Sequence, residues 1–233
     1  YFFRKNDSLL HFVKPVFDRR VFLKTCTNGS SELMTNLSMS LVNALYNLQL
    51  MKIAGENGVA AYGAVMYVNF IFVATFLGYA IGCAPVISYH YGAGNHAELK
   101  NLYKKSMSII LVWGVILFGA AQLLAPVLSK IFVGYNTGLY AMTLHGFRVY
   151  AIAFLIIGIN IFGSSFFTAL NNGLISAVIS FLRTLVFQVI MVLTLPLWFG
   201  INGIWSAISI AEALTLIMTT TFFVRQKDKY HYL

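Results

Sequence analysis

The chain has 233 residues, 59% of them hydrophobic and only 10% charged, with a mean hydropathy of +0.77. A soluble domain carries roughly 45–50% apolar and about 25% charged residues, so no single globular core could hide this apolar surface, and the membrane is the solvent. The net charge of +9 does not imply a nucleic-acid partner, because the Lys and Arg residues gather at the ends of the apolar stretches.

The predicted elements are six helices. Residues 1–19 read as a basic cytoplasmic linker containing Arg4, Lys5, Lys14 and Arg19. The chain opens on YFFRKND without an initiator Met and reads as a fragment. The first helix runs from about Arg20 to Ile53, long enough at 1.5 Å per residue to begin in the interface before entering lipid. Gly55-Glu56-Asn57-Gly58 reads as a turn, followed by a second helix over about 59–91 with Pro85 as a kink. Gly92-Ala93-Gly94-Asn95 breaks that helix, and Asn95 is the expected N-cap of the third, over about 96–125. Pro126 is expected to end or bend it. Residues 127–138 then form a connection with room for a short interfacial helix. The fourth helix spans about 138–170, the fifth about 174–198 with Pro196 near its end, and the sixth about 204–225. Residues 20–225 thus form a six-helix transmembrane lobe, and 226–233 a basic cytoplasmic tail. Cys26 and Cys83 lie within apolar helices as small packing residues, too few for a disulfide framework.

Six spans put both termini on one side. The linker, Lys100, Lys104 and Lys105, and the tail residues Arg225, Lys227 and Lys229 share that side, whereas the other face has only Lys52, Lys130 and Arg148. Positive charge is retained in the cytoplasm, so both termini are expected there, in a multi-pass protein of the plasma (bacterial inner) membrane with lipid as its surroundings.

Several spans carry polar stripes. On the first helix, Thr25, Asn28, Glu32, Asn36, Ser40, Asn43 and Asn47 recur every three or four residues and fall on one face. Leu33, Met34, Leu37, Leu41 and Leu48 lie opposite, and the other helices are expected to surround the polar stripe. On the fourth helix Asn160, Ser164, Thr168 and Asn171 align. On the fifth, Ser176, Ser180, Thr184 and Gln188 align, with Arg183 beside them, and on the sixth Ser206, Ser209 and Glu212. Ser, Thr and Asn at such positions commonly hydrogen-bond between packed helices.

The acids carry more information, because an ionisable group at membrane depth is a functional hypothesis by default. Glu32 has two readings: a structural acid paired with a cation on a neighbouring helix, or a site for H⁺, Na⁺ or a cationic substrate. Asn28 and Asn36 flank it by one turn and could offer amide oxygens to a cation. Glu212 has the same two readings. Arg183 is the intramembrane cation available, and the spacing allows either an Arg183–Glu212 or an Arg183–Glu32 pair. Tyr46, Tyr62 and Tyr67 are candidates to line a cavity for flat cations, with helix packing the alternative role. No His, Cys or carboxylate grouping has metal-ligand spacing, and no P-loop or GxSxG elbow occurs, so neither a metal site nor an enzyme is expected. No resident cofactor is expected either; H⁺ or Na⁺ would be the coupling ion.

The motifs SSELMTNLS around Glu32, AGENGVAAYG between the first two helices, APVISYHYGAGNHAELKN across the next break, FFTALNNG, and GINGIWSAISIAEAL into the last helix together cover nearly the whole chain. In these the sequence resembles the C-terminal half of a multidrug and toxic compound extrusion (MATE) family transporter. The resemblance implies an all-α integral membrane protein, one six-helix lobe of a twelve-helix, two-lobe transporter that exports small organic cations in exchange for H⁺ or Na⁺. It implies a missing N-terminal lobe, or a second copy, as partner. It places cation coupling at the acid on the first helix, here Glu32. The family often has an Asp on the fourth helix of this lobe, whereas the segment 155–160 here has none. Glu32 then acts with amides such as Asn28, Asn36, Asn43 and Asn160, or the coupling acid belongs to the other lobe. The alternatives are a flippase for lipid-linked sugars, which needs a more cationic cavity, and a non-transporting scaffold or relic half in which the polar stripes only join helices.

Overall fold

A computed structural model describes residues 17–232, except the side chains of residues 28, 30–32, 34 and 35. Almost all of the expected linker at 1–19 lies outside that range. The described residues fold into helices α1 (Arg19–Gly92), α2 (His96–Val133), α3 (Thr137–Tyr150), α4 (Phe154–Ala169), α5 (Gly173–Phe181), α6 (Phe187–Phe199) and α7 (Ile201–Tyr230). A 3-10 turn, Ala151–Ala153, joins α3 to α4, and a π-turn, Leu182–Val186, joins α5 to α6. Asp18 caps α1, its carboxylate accepting from the amides of Arg20 and Val21 at 2.7 and 3.3 Å.

Among the described residues, five helical stretches are long and apolar enough to cross a membrane, α3–α4 and α5–α6 counting as one each. The longest of them is two spans. Gly55, at φ +64° and ψ −154°, is the one residue inside α1 with non-helical backbone. On a straight helix Tyr46 and Tyr62 would stand about 24 Å apart. Instead their rings stack at 5.0 Å, and the Tyr62 hydroxyl donates to Asn43 Oδ1 at 3.0 Å. The chain therefore doubles back at Gly55 into limbs 19–54 and 56–92. The expected four-residue turn is a single residue, because glycine alone adopts this backbone without strain. Six membrane spans follow, as the sequence indicates.

Cross-links at matching depths fix the topology. The Tyr79 hydroxyl donates to Ser106 Oγ at 3.0 Å and Trp113 Nε1 to Thr75 Oγ1 at 2.8 Å, so the second limb of α1 and α2 run antiparallel. Gln122 Nε2 reaches the Arg148 carbonyl at 3.0 Å, which sets α2 against α3. Each span thus reverses its predecessor, and the first and last described residues lie at one end.

Two expectations about ends change. Helix α2 continues through Pro126 to Val133, and only Gly134–Asn136 separates it from α3. A proline removes one backbone donor, and in lipid, with no water to donate to the freed carbonyl, neighbouring turns preserve the helix. At the other end, α7 extends through the charged segment to Tyr230, which the hydropathy pattern assigns to a tail. Aromatic packing secures it. Tyr232 is fully buried against Tyr103 and Phe166, and its hydroxyl donates to the Phe223 carbonyl at 2.9 Å. Burial, with Tyr103 and Tyr230 adding to it, pushes the Tyr232 phenol up, so it remains a donor.

The core lies around α4, which packs against α1, α2, α5 and α7. Close approach comes from small residues, as is usual between membrane helices. A Cβ on Gly158 would meet the Phe76 ring, and one on Gly163 would meet the Thr219 methyl. Cys83 is half-buried and Cys26 is exposed, so only Cys83 fits the expected packing role; both are free thiols.

Candidate functional site

Glu212 lies eleven residues into α7 and is only 1% exposed. Arg183 Nε donates to both its oxygens, at 2.8 and 3.1 Å. Asn160, on α4 and fully buried, donates from Nδ2 to Glu212 Oε2 at 2.7 Å and to the Glu212 carbonyl at 3.0 Å. Three spans thus converge on one carboxylate. Of the two pairings open to Arg183, the structure shows the one with Glu212.

Local backbone explains the aim of Arg183. It sits in the π-turn Leu182–Val186, where one extra residue per turn shifts side chains around the axis. On an unbroken α-helix it would stand beside the stripe of Ser176, Ser180 and Thr184; the wider turn carries it to α7. Burying two charges costs several kcal/mol per ion, offset when the pair is well hydrogen-bonded. Here both carboxylate oxygens are engaged. Asn160 Oδ1, by contrast, has no hydrogen-bond partner among the described residues.

Aromatic residues continue the polar interior away from this pair. The phenols of Tyr46 and Tyr150 lie within reach of the Glu212 charge. The Tyr46 hydroxyl donates to Gln188 Oε1 at 3.0 Å. Tyr46 and Tyr62 are buried against each other rather than lining a cavity for a cation, and the exposed Tyr67 stacks on Phe132 at 6.0 Å. The stack is a packing unit because the hairpin at Gly55 presses the two limbs together. The spacing rule did not pick out Tyr150, although it shares the buried face of Phe154, Ile157 and Asn160.

The stripe on the first limb has a different setting from the expected one. Ser38, Val42, Tyr46 and Leu50 face the bundle. Asn36, Ser40, Asn43 and Asn47 lie roughly a third of a turn away, at 100° per residue, and are exposed. The other described helices do not surround the stripe. The apolar face around Val42 and Tyr46 takes the packing instead. Asn43 joins the interior only at its edge, through Tyr62. Glu32 and Asn28 lie on this limb, and their side chains fall outside the described residues.

A family model, MatE, matches residues 33–194. The chain belongs to the MatE family. MATE proteins are transporters rather than enzymes, and this one is a multi-pass membrane protein. Solved structures match the fold over almost its full length. One of a MATE protein in complex with MaL6 has a TM-score of 0.87 at 20% identity, covering 97% of this chain and 52% of the other. An outward-facing multidrug resistance MATE transporter of the MOP superfamily has a TM-score of 0.85 at 21% identity, covering 96% and 51%. A MOP superfamily transporter from Pyrococcus furiosus, whose reversed pocket polarity is taken to suggest a different function, has a TM-score of 0.83 at 21% identity, covering 94% and 50%. The chain spans about half the length of these structures. A comparison with curated protein sequences gives no match.

Proposed function

We propose that this chain is the C-terminal lobe of a secondary antiporter that exports small organic cations in exchange for H⁺ or Na⁺, with both termini on the cytoplasmic side of the plasma membrane. The observation that carries the reading is the exposed polar stripe of Asn36, Ser40, Asn43 and Asn47 on a membrane-spanning limb. Amide and hydroxyl groups facing lipid would be costly. A water-filled cavity shared with a second lobe, or with a second copy, satisfies them. Glu32 lies on the same spacing and supplies the acid, with Asn28 and Asn36 one turn to either side.

Glu212, Arg183 and Asn160 form the second part of the proposed site, and they favour H⁺ over Na⁺ there. A sodium ion at Glu212 would stand beside a guanidinium that already holds both oxygens. A proton would instead neutralise the carboxylate and release Arg183. The pair is then a two-state element, and the driving ion shifts it only by its differential affinity for the two states. The flippase reading loses support for the same reason. The intramembrane cation that could hold a phosphate is engaged by Glu212.

Efflux of ethidium from cells producing the complete transporter tests the proposal. Glu32→Gln should abolish export or uncouple it from the ion gradient, with the protein still in the membrane at normal level. Undiminished, gradient-dependent efflux would remove Glu32 from the mechanism. Loss of folding without any selective transport defect would support the scaffold reading.

A further inference from the structure

Four hydroxyls between α4 and α5 form an unbroken chain. Thr168 Oγ1 lies 2.6 Å from Ser176 Oγ, which lies 2.9 Å from Ser164 Oγ, which lies 2.8 Å from Ser180 Oγ. In each contact either oxygen could be the donor. When Thr168 instead donates to the Ser164 carbonyl at 3.1 Å, it accepts from Ser176. The chain begins one turn from the exposed Asn171, at the end of the lobe that holds both described termini. It leads inward. Asn160 is one turn beyond Ser164 on α4, and Arg183 is about one turn beyond Ser180.

Helix packing alone accounts for such hydroxyls when every polar atom is satisfied. Here two are not. Asn160 Oδ1 and Thr219 Oγ1 are fully buried without a hydrogen-bond partner among the described residues. Asn160 touches the Glu212 carboxylate, and Thr219 packs on Gly163, the residue next to Ser164. Asn160 thus lies in the one-turn gap between Ser164 and Glu212, whereas Thr219, its methyl against Gly163, stands beside the inner end of the hydroxyl chain, about two turns from Glu212 along α7. Buried polar atoms left by the protein are the usual seats of internal water.

We propose that Thr168, Ser176, Ser164 and Ser180, continued by water held at Thr219 Oγ1 and Asn160 Oδ1, form a proton path from the termini end of the lobe to Glu212. This rests on the reading of Glu212 as an H⁺-coupled group. A proton accepted by the outermost hydroxyl is matched by one passed on at each link, and the last O–H formed is on the Glu212 carboxyl. The hydroxyls then rotate back, with no other bond changed. The groups in contact with that carboxyl are Arg183 from the π-turn and the uncharged Asn160 from α4, and the phenols of Tyr150 from α3 and Tyr46 from the first limb of α1 are near enough to feel its charge. Arg183 opposes protonation, so the path feeds a site that fills only when the pair opens.

The test uses the native assembly reconstituted in liposomes with a trapped pH-sensitive dye and an imposed ethidium gradient. Ser176→Ala and Thr219→Val should each slow ethidium-driven proton movement about tenfold or more, with equilibrium ethidium binding and melting temperature unchanged. Ser176→Thr should retain the wild-type rate. If Ser176→Ala fails to fold, the near-isosteric Thr219→Val decides. Wild-type proton rates in both hydroxyl-deleting variants overturn the path alone. No ethidium-driven proton movement in the wild type overturns H⁺ coupling, and the path with it.

Discussion

At the scale of single residues, Glu212 decides how the lobe's interior is wired. The sequence shows two intramembrane acids, Glu32 and Glu212, and offers Arg183 either of them. The pairing was not legible because the π-turn moves Arg183 off the register that a regular helix predicts. Removing one partner of a buried pair typically costs about 3–5 kcal/mol, while replacing both with apolar residues is often neutral or better. Glu212→Leu and Arg183→Leu should therefore each lower stability by roughly that amount, and the double variant by clearly less. Thermal melts of the four proteins in one detergent close that cycle. Equal, additive losses would mean that the pair seen at 2.8 Å contributes no coupling. Asn160 was legible as part of a stripe, but its role as a second donor to Glu212 was not, since helical spacing carries no information about the facing helix.

At the scale of elements, the helices were readable where composition punctuates them and unreadable where context overrides it. Gly55 announced the first reversal, and Asn95 and Asn172 cap the helices that follow them. Pro126 signalled an end or a bend, and the end does not occur, since α2 runs on to Val133. The charged segment after Arg225 signalled a tail, yet it stays helical because Tyr230 and Tyr232 find aromatic partners on other helices. Gly55→Ala places a Cβ on a backbone that is essentially glycine's alone, at a cost on the order of 1–3 kcal/mol. It should lower the melting temperature and weaken the Tyr46–Tyr62 stack, which tyrosine fluorescence and disulfide trapping between the two limbs would register. Gly158→Val drives methyl groups into Phe76 and Ile110. Overpacking of this kind typically costs about 1–3 kcal/mol. A melting temperature unaffected by that change would show that α4 can shift away from its neighbours without penalty.

At the scale of the whole molecule, the six-span bundle was legible from hydropathy alone, because apolar length is set by bilayer thickness. Which side of the first helix faces inward was not. Periodicity reports that a stripe exists; only tertiary packing tells which stripe is covered, and Val42, Tyr46 and Leu50 outcompete the asparagines for the interior. A single cysteine at Asn36 or Asn43, in a background lacking Cys26 and Cys83, should react with a water-soluble thiol reagent. Cysteine at Val42 should not. Equal protection of all three would place the asparagines against lipid or a dry partner and remove the cavity.

The bend at Gly55 has a consequence for how the protein is made. A reversal of one residue leaves no loop to be threaded across the bilayer after the first limb has settled. The two limbs must therefore enter lipid together as a preformed hairpin, tip first. That tip carries Lys52 and Glu56, whose formal charges cancel. A membrane potential does about 2.3 kcal/mol of work per elementary charge per 100 mV. On this tip the net work is close to zero, so the energised membrane neither pulls the hairpin in nor holds it back.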